Sequence, residues 1–170
     1  MYIATLFIIP PLCLVLAAFT DFLEMTIPNR IPLVLFAAFL VIAPFSGLGL
    51  VELGWHLVAA TMVFSACFAL FAINVMGGGD AKLLTAAALW FGFNHSLFEF
   101  LAFTGYIGGV LTLVVIVMRA NWDVLATVGV KLPMCFMTAS KIPYGIAIGA
   151  AGLMAYPNSP LMIAAIGSTP

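Results

Sequence analysis

Six apolar runs separated by short connections leave this chain few folds to adopt. They cover roughly Tyr2–Thr20, Ile31–Phe45, Trp55–Val75, Ala81–Phe93, Leu97–Met118 and Pro143–Ile166. A helical bilayer crossing needs about 20 residues, with a range of about 17 to 25. The first, third and fifth runs reach that length, while the second and fourth are short. The sixth is interrupted by Pro157-Asn158-Ser159-Pro160, so a crossing complete by Tyr156 would leave the last residues at the outer interface. Pro10-Pro11 inside the first run predicts a kink that neighbouring helices can absorb. The expected fold is all-α: a polytopic membrane protein of about six transmembrane helices, with residues 1–170 as one domain.

Charge supports the same reading. Only 6% of the residues are charged and 65% are apolar, whereas a soluble domain carries about 25% charged residues. So few charges cannot cover a globule in water, but they suit a surface solvated by a lipid bilayer. The net charge of -1 argues against a nucleic-acid partner. Cys13, Cys67 and Cys135 stand apart and form no C-x-x-C pair, so neither a metal site nor a disulfide framework is expected, and they read as small buried hydrophobes. No cofactor is expected. No Lys or Arg precedes the first run, which therefore reads as a membrane helix with its N-terminus outside rather than as a cleaved signal.

The basic residues orient the bundle. Arg30 follows the first run, Lys82 follows the third, and Arg119, Lys131 and Lys141 lie between the fifth and sixth. With six alternating spans all five fall on one side. The opposite connections, Ser46–Gly54 and Asn94–Ser96, hold no Lys or Arg. The positive-inside rule assigns the first side to the cytoplasm, placing the protein in the inner (cytoplasmic) membrane. The long connection Arg119–Ile142, with Trp122, Leu125, Val128 and Phe136, reads as a segment lying in that interface.

Two carboxylates stand at the cytoplasmic boundary: Asp21 at the end of the first span and Asp80 at the start of the fourth. Ionisable groups near membrane depth are functional candidates. If two such carboxyls meet, they cannot both ionise easily, so one retains a proton. One member can then activate a water while the other protonates a leaving amine, the chemistry of an aspartic protease. The plain alternative is that each Asp caps a helix or sits in the interface. Gly77-Gly78-Gly79 immediately before Asp80 would weaken a helix there and leave a mobile backbone that an extended peptide could approach. A simple turn, with Asp80 as N-cap of the fourth span, is equally consistent with that run.

Gly77-Gly78-Gly79-Asp80-Ala81-Lys82-Leu83 resembles the G-x-G-D-x-K-L motif of type IV prepilin peptidases. Asp21 followed by Ile27-Pro28-Asn29 is similar to that family's first-aspartate motif, and Pro143-Tyr144-Gly145 to the start of its last helix. The resemblance implies an aspartic intramembrane endopeptidase whose catalytic residues are Asp21 and Asp80. Its substrates would be prepilins or pseudopilins, cleaved just before the hydrophobic stem while a short basic leader stays cytoplasmic. Gly77, Gly79, Lys82, Pro28 and Asn29 would support the site. Length resembles the small branch serving tight-adherence (Flp-type) pili. Larger relatives carry paired cysteines in a cytoplasmic insertion, and many also N-methylate the new terminus; without those pairs, only the peptidase activity is expected here. A preflagellin peptidase is a neighbouring reading, and proton or cation transport by the two carboxylates is another. Against transport, no carboxylate lies near the middle of a span.

The remaining polar residues carry plainer expectations. Lys82 lies two positions from Asp80, so on a helix the two would not share a face. It reads as a topology anchor or as a contact for the peptide. Glu24 reads as a solvated loop charge, Asn29 as a turn former, His56 and His95 as outer-interface residues, and Asn74 as a buried amide needing a partner.

Overall fold

The computed structural model describes residues 2–121 and 142–167. The expected interfacial segment within Arg119–Ile142 lies almost wholly outside the described residues. Among the described residues seven α-helices follow in order: α1 (Tyr2–Glu24), α2 (Arg30–Ile42), α3 (Leu50–Ala72), α4 (Gly78–Phe91), α5 (His95–Ala120), α6 (Tyr144–Ala155) and α7 (Pro160–Gly167). The described residues contain no strand.

Among the described residues, four stretches are long and apolar enough to cross a bilayer: Thr5–Glu24, Leu50–Ala72, His95–Ala120 and Tyr144–Gly167. Two shorter elements complete the six expected runs. α2 continues through a 3-10 turn, Ala43–Phe45, and α4 has 14 residues. At 1.5 Å per residue α4 is about 21 Å long, short of a hydrocarbon core about 30 Å thick.

α4 nevertheless forms the centre of the bundle. Its buried residues include Ala81, Leu83, Leu84 and the whole stretch from Ala86 to Phe91. The stretch from Ala86 to Phe91, apolar on every side, must be enclosed on every side, and α2, α3, α5, α6 and α7 pack around α4. Trp90 is buried in its last turn, donates Nε1–H to the Leu35 carbonyl at 3.2 Å and meets Phe39 edge-on. The outer surface is the reverse of a soluble one: Leu33, Val41, Phe68 and Leu113 are exposed side chains on the rim. An apolar exterior of this extent fits lipid as the solvent.

α6 packs closely between α1 and α5. A Cβ at Gly149 would stand 2.7 Å from the Leu14 carbonyl oxygen, so the two backbones approach as only small residues allow. At the far end of this contact the Tyr156 hydroxyl donates to the Leu6 carbonyl at 2.9 Å. The interruption at Pro157–Pro160 forms a 3-10 turn, after which α7 returns against α1 and α4 with Leu161 and Met162 buried.

Several boundaries differ from expectation. α1 continues through Pro10 and Pro11 and past Thr20 to Glu24, which places Asp21 in its last turn, at the end of the span as expected. Gly78 and Gly79 form the first turn of α4, with Gly77 at the N-cap, so the glycine run is neither a mobile linker nor a turn capped by Asp80. The helix penalty of glycine, about 1 kcal/mol each, is offset by packing of that turn against neighbouring elements. His56 is buried rather than interfacial: its Nδ1–H donates to the Leu89 carbonyl at 2.6 Å, and its ring occupies the space beside Gly92, whose φ of +67° ends α4. Its polar nitrogen thereby satisfies a carbonyl that the end of α4 leaves open.

Candidate active site

Asp21 is only 5% exposed, although it is a carboxylate in a helix apolar over most of its length. Such burial requires hydrogen-bond donors, and α6 provides them. The Gly145 N–H donates to Asp21 Oδ2 at 2.7 Å. The first N–H groups of a helix have no partners within it and lie at the positive end of its dipole, so α6 holds Asp21 as helix N-termini hold anions. Gly145 is glycine for a steric reason. A Cβ there would stand 2.9 Å from both Asp21 Cβ and Asp21 Oδ2.

Asp80 enters from another helix. It occupies the first turn of α4 and is half-buried. Its carboxylate folds back towards the N-cap, such that a Cβ on Gly77 would stand 2.8 Å from Oδ2. It borders a cavity of about 380 Å³ whose walls include Asn74, Met76, Gly77, Thr112 and Tyr144. This cavity lies where α4 begins, among the end of α3, the later turns of α5 and the start of α6. Asn74 was expected to be a buried amide. Instead it follows α3 in a left-handed conformation, φ +58°, is exposed, and forms part of the cavity wall.

The two sites share their framework. Tyr144 walls the Asp80 cavity, and the next residue, Gly145, holds Asp21. The Tyr144 ring lies across α5 in the space a Cβ on Gly108 would need, which fixes the start of α6. Ile27 contacts both halves: its Cβ lies 3.2 Å from the position of a Cβ on Gly79, and its Cδ1 lies 2.9 Å from that of a Cβ on Gly145. Asp21 and Asp80, fifty-nine positions apart in the sequence, are thus joined through one residue of the α1–α2 link.

The supporting residues divide. Gly77 and Gly79 make the close approaches described above. Lys82 Nζ donates to Asn29 Oδ1 at 2.9 Å, tying α4 to the α1–α2 link. Lys82 does not line the Asp80 cavity; with Asn29, Phe36 and Phe64 it borders a separate groove between α2, α3 and α4. Pro28 is exposed, and its carbonyl accepts the Ile31 N–H at 3.0 Å, which launches α2. Glu24 is exposed at the end of α1, as a solvated charge would be. Sequence reasoning gave no site role to Ile27, Gly145, Tyr144 or Gly108. Signals existed for Ile27, in the Ile-Pro-Asn run after Asp21, and for Gly145 and Tyr144, in the Pro-Tyr-Gly opening of the last span, but nothing in them said which residues they would meet. Among the described residues, no three His, Cys, Asp or Glu side chains gather closely enough to hold a metal ion.

Replacing Gly79 with Val tests how tightly this end is packed. The new Cβ would press on the Ile27 Cβ at 3.2 Å, and a β-branched side chain has little rotamer freedom to escape. Any activity requiring Asp80 is expected to be lost while membrane-inserted protein persists. Normal activity in a well-inserted Gly79→Val protein would show that the glycine run needs no close approach.

No curated protein and no solved structure matches the chain. A family comparison does: the pattern of the type IV leader peptidase family matches residues 8–118. That stretch holds Asp21, Ile27, the glycine run and Asp80, and ends before α6. It covers well over half of the 170 residues. The chain, an all-α membrane protein with two aspartate-bearing helix ends gathered at one end of its bundle, belongs to the type IV leader peptidase family.

Proposed function

We propose that the protein is an aspartic endopeptidase that removes the leader from type IV prepilins or pseudopilins at the cytoplasmic face of the inner membrane. The observation that carries this reading is the convergence of Asp21 and Asp80 on Ile27 and the start of α6, with Asp80 open to a cavity. In the proposed reaction one carboxylate takes a proton from a water as that water attacks the scissile carbonyl. The other carboxyl gives its proton to the departing amine. The Gly145 N–H holds Asp21 by one oxygen, which limits the directions in which the carboxylate can face the water. The substrate's basic leader stays in the cytoplasm and its hydrophobic stem in the bilayer, bringing the bond between them to membrane depth. Membranes containing the protein should shorten a leader-bearing prepilin, read as a gel shift. An intact precursor, with the protein well inserted, would overturn the proposal.

Orientation is a separate expectation. In a background lacking all three cysteines, a single Cys at Met25 should react with thiol reagents only from the cytoplasmic side. One at Leu50, at the opposite end of the bundle and exposed, should react from outside. Strong outside labelling at position 25 would invert the topology.

A further inference from the structure

Ile27 lies in the link between α1 and α2, and its two faces touch different aspartate-bearing assemblies. On one side its Cβ meets the bare backbone of Gly79, one residue before Asp80; its N and O atoms are each 3.7 Å from the position of a Cβ there. On the other side its Cδ1 meets Gly145, the residue whose N–H holds Asp21. From these contacts we infer that Ile27 is a positioning residue, the spacer that sets the separation of Asp21 and Asp80. The consequence for catalysis rests on the peptidase reading above; the spacing itself does not.

Three features make Ile27 a stiff spacer. A β-branched side chain keeps few χ1 rotamers, so its width is defined. Both surfaces it meets are glycine backbone, which cannot yield as a flexible side chain would. The link is also fixed at both ends. Met25 N–H donates to the Asp21 carbonyl at 3.0 Å with Met25 in a left-handed turn, φ +53°, and Asn29 accepts from Lys82 at 2.9 Å. Ile27 therefore cannot shift without breaking one of these anchors. Ile27→Ala removes the side chain beyond Cβ and leaves a gap that the first turns of α4 and α6 can close only by moving together. Both Ala and Val at this position keep Cβ against Gly79 and lose the Cδ1 contact with Gly145, but Ile27→Val keeps both Cγ carbons and leaves the smaller gap.

The spacing can be read without substrate. In a background lacking Cys13, Cys67 and Cys135, Asp21→Cys and Asp80→Cys are joined with bifunctional methanethiosulfonates of graded length. A specific protease site in the Ser46–Gly49 turn then reports linkage, because joined fragments run together on a gel. With Ile27 present one spacer length should be preferred; Ile27→Ala should shift that preference to shorter reagents, and Ile27→Val should shift it less. An unchanged preference in Ile27→Ala, or in Ile27→Leu if the alanine variant fails to accumulate, overturns the inference.

Kinetics supply the second reading, in proteins that keep both aspartates. Misplacement of about 1 Å costs about 100-fold, so kcat for Ile27→Ala should fall by about that factor. KM should hold, because Ile27 does not wall the Asp80 cavity, and Ile27→Val, which leaves a smaller gap, should lose less of the rate than Ile27→Ala. A raised KM with kcat intact would make Ile27 a substrate contact and overturn the spacer role. Wild-type protein that cleaves no leader would strike at the peptidase reading alone, since the cross-linking result stands without it.

Discussion

Asp21→Asn and Asp80→Asn are each expected to abolish leader removal. Asn matches the size of the side chain but can neither take the proton from water nor deliver one to the leaving amine. If the two carboxyls act as one unit, the double variant should be no worse than either single, because members of a unit are non-additive. Asp→Glu keeps the acid but adds a methylene. At Asp21 that methylene must be taken up beside the Gly145 backbone, which the Asp21 side chain already approaches closely, and a displacement of about 1 Å costs about 100-fold. Both Glu variants should therefore be severely impaired. Glu24→Gln removes a charge from the exposed end of the same helix and should retain activity. The assay is the gel shift of a prepilin in membranes, with variant abundance measured alongside. Wild-type cleavage by a well-expressed Asp21→Asn or Asp80→Asn protein would exclude the dyad mechanism.

Gly145→Ala should be nearly as damaging, although it alters no polar group. The added methyl would stand 2.9 Å from Asp21 Cβ, Asp21 Oδ2 and Ile27 Cδ1 together. All three neighbours belong to the proposed machinery, so whichever yields, the machinery is displaced. The 2.7 Å bond from the Gly145 N–H to Oδ2 lengthens or turns as α6 is pushed off α1. We expect a loss of about 100-fold in kcat, with membrane insertion retained because the substitution removes no apolar surface from either helix. Gly105→Ala and Gly109→Ala are matched controls: a Cβ at either meets nothing within 4 Å. If Gly145→Ala cleaves as fast as these controls, the start of α6 is not what positions Asp21.

The membrane fold and the placement of the two aspartates at helix ends were legible in the sequence, because hydropathy, run length and the one-sided distribution of Lys and Arg are properties of single segments. So was the divergence of Lys82 from Asp80, which follows from helical spacing alone. Only the tertiary structure decided which groups meet across segments. Asp21 is held by an amide 124 positions away, His56 satisfies a carbonyl of α4 rather than facing an interface, and Asn74 opens onto a cavity rather than lying buried. The glycine run shows the division most clearly. Its composition predicts a weak, mobile segment, and local energetics alone would give one. Packing beside Ile27 instead makes part of it the first turn of a helix, because contacts made by neighbours distant in sequence outweigh a penalty of about 1 kcal/mol per glycine.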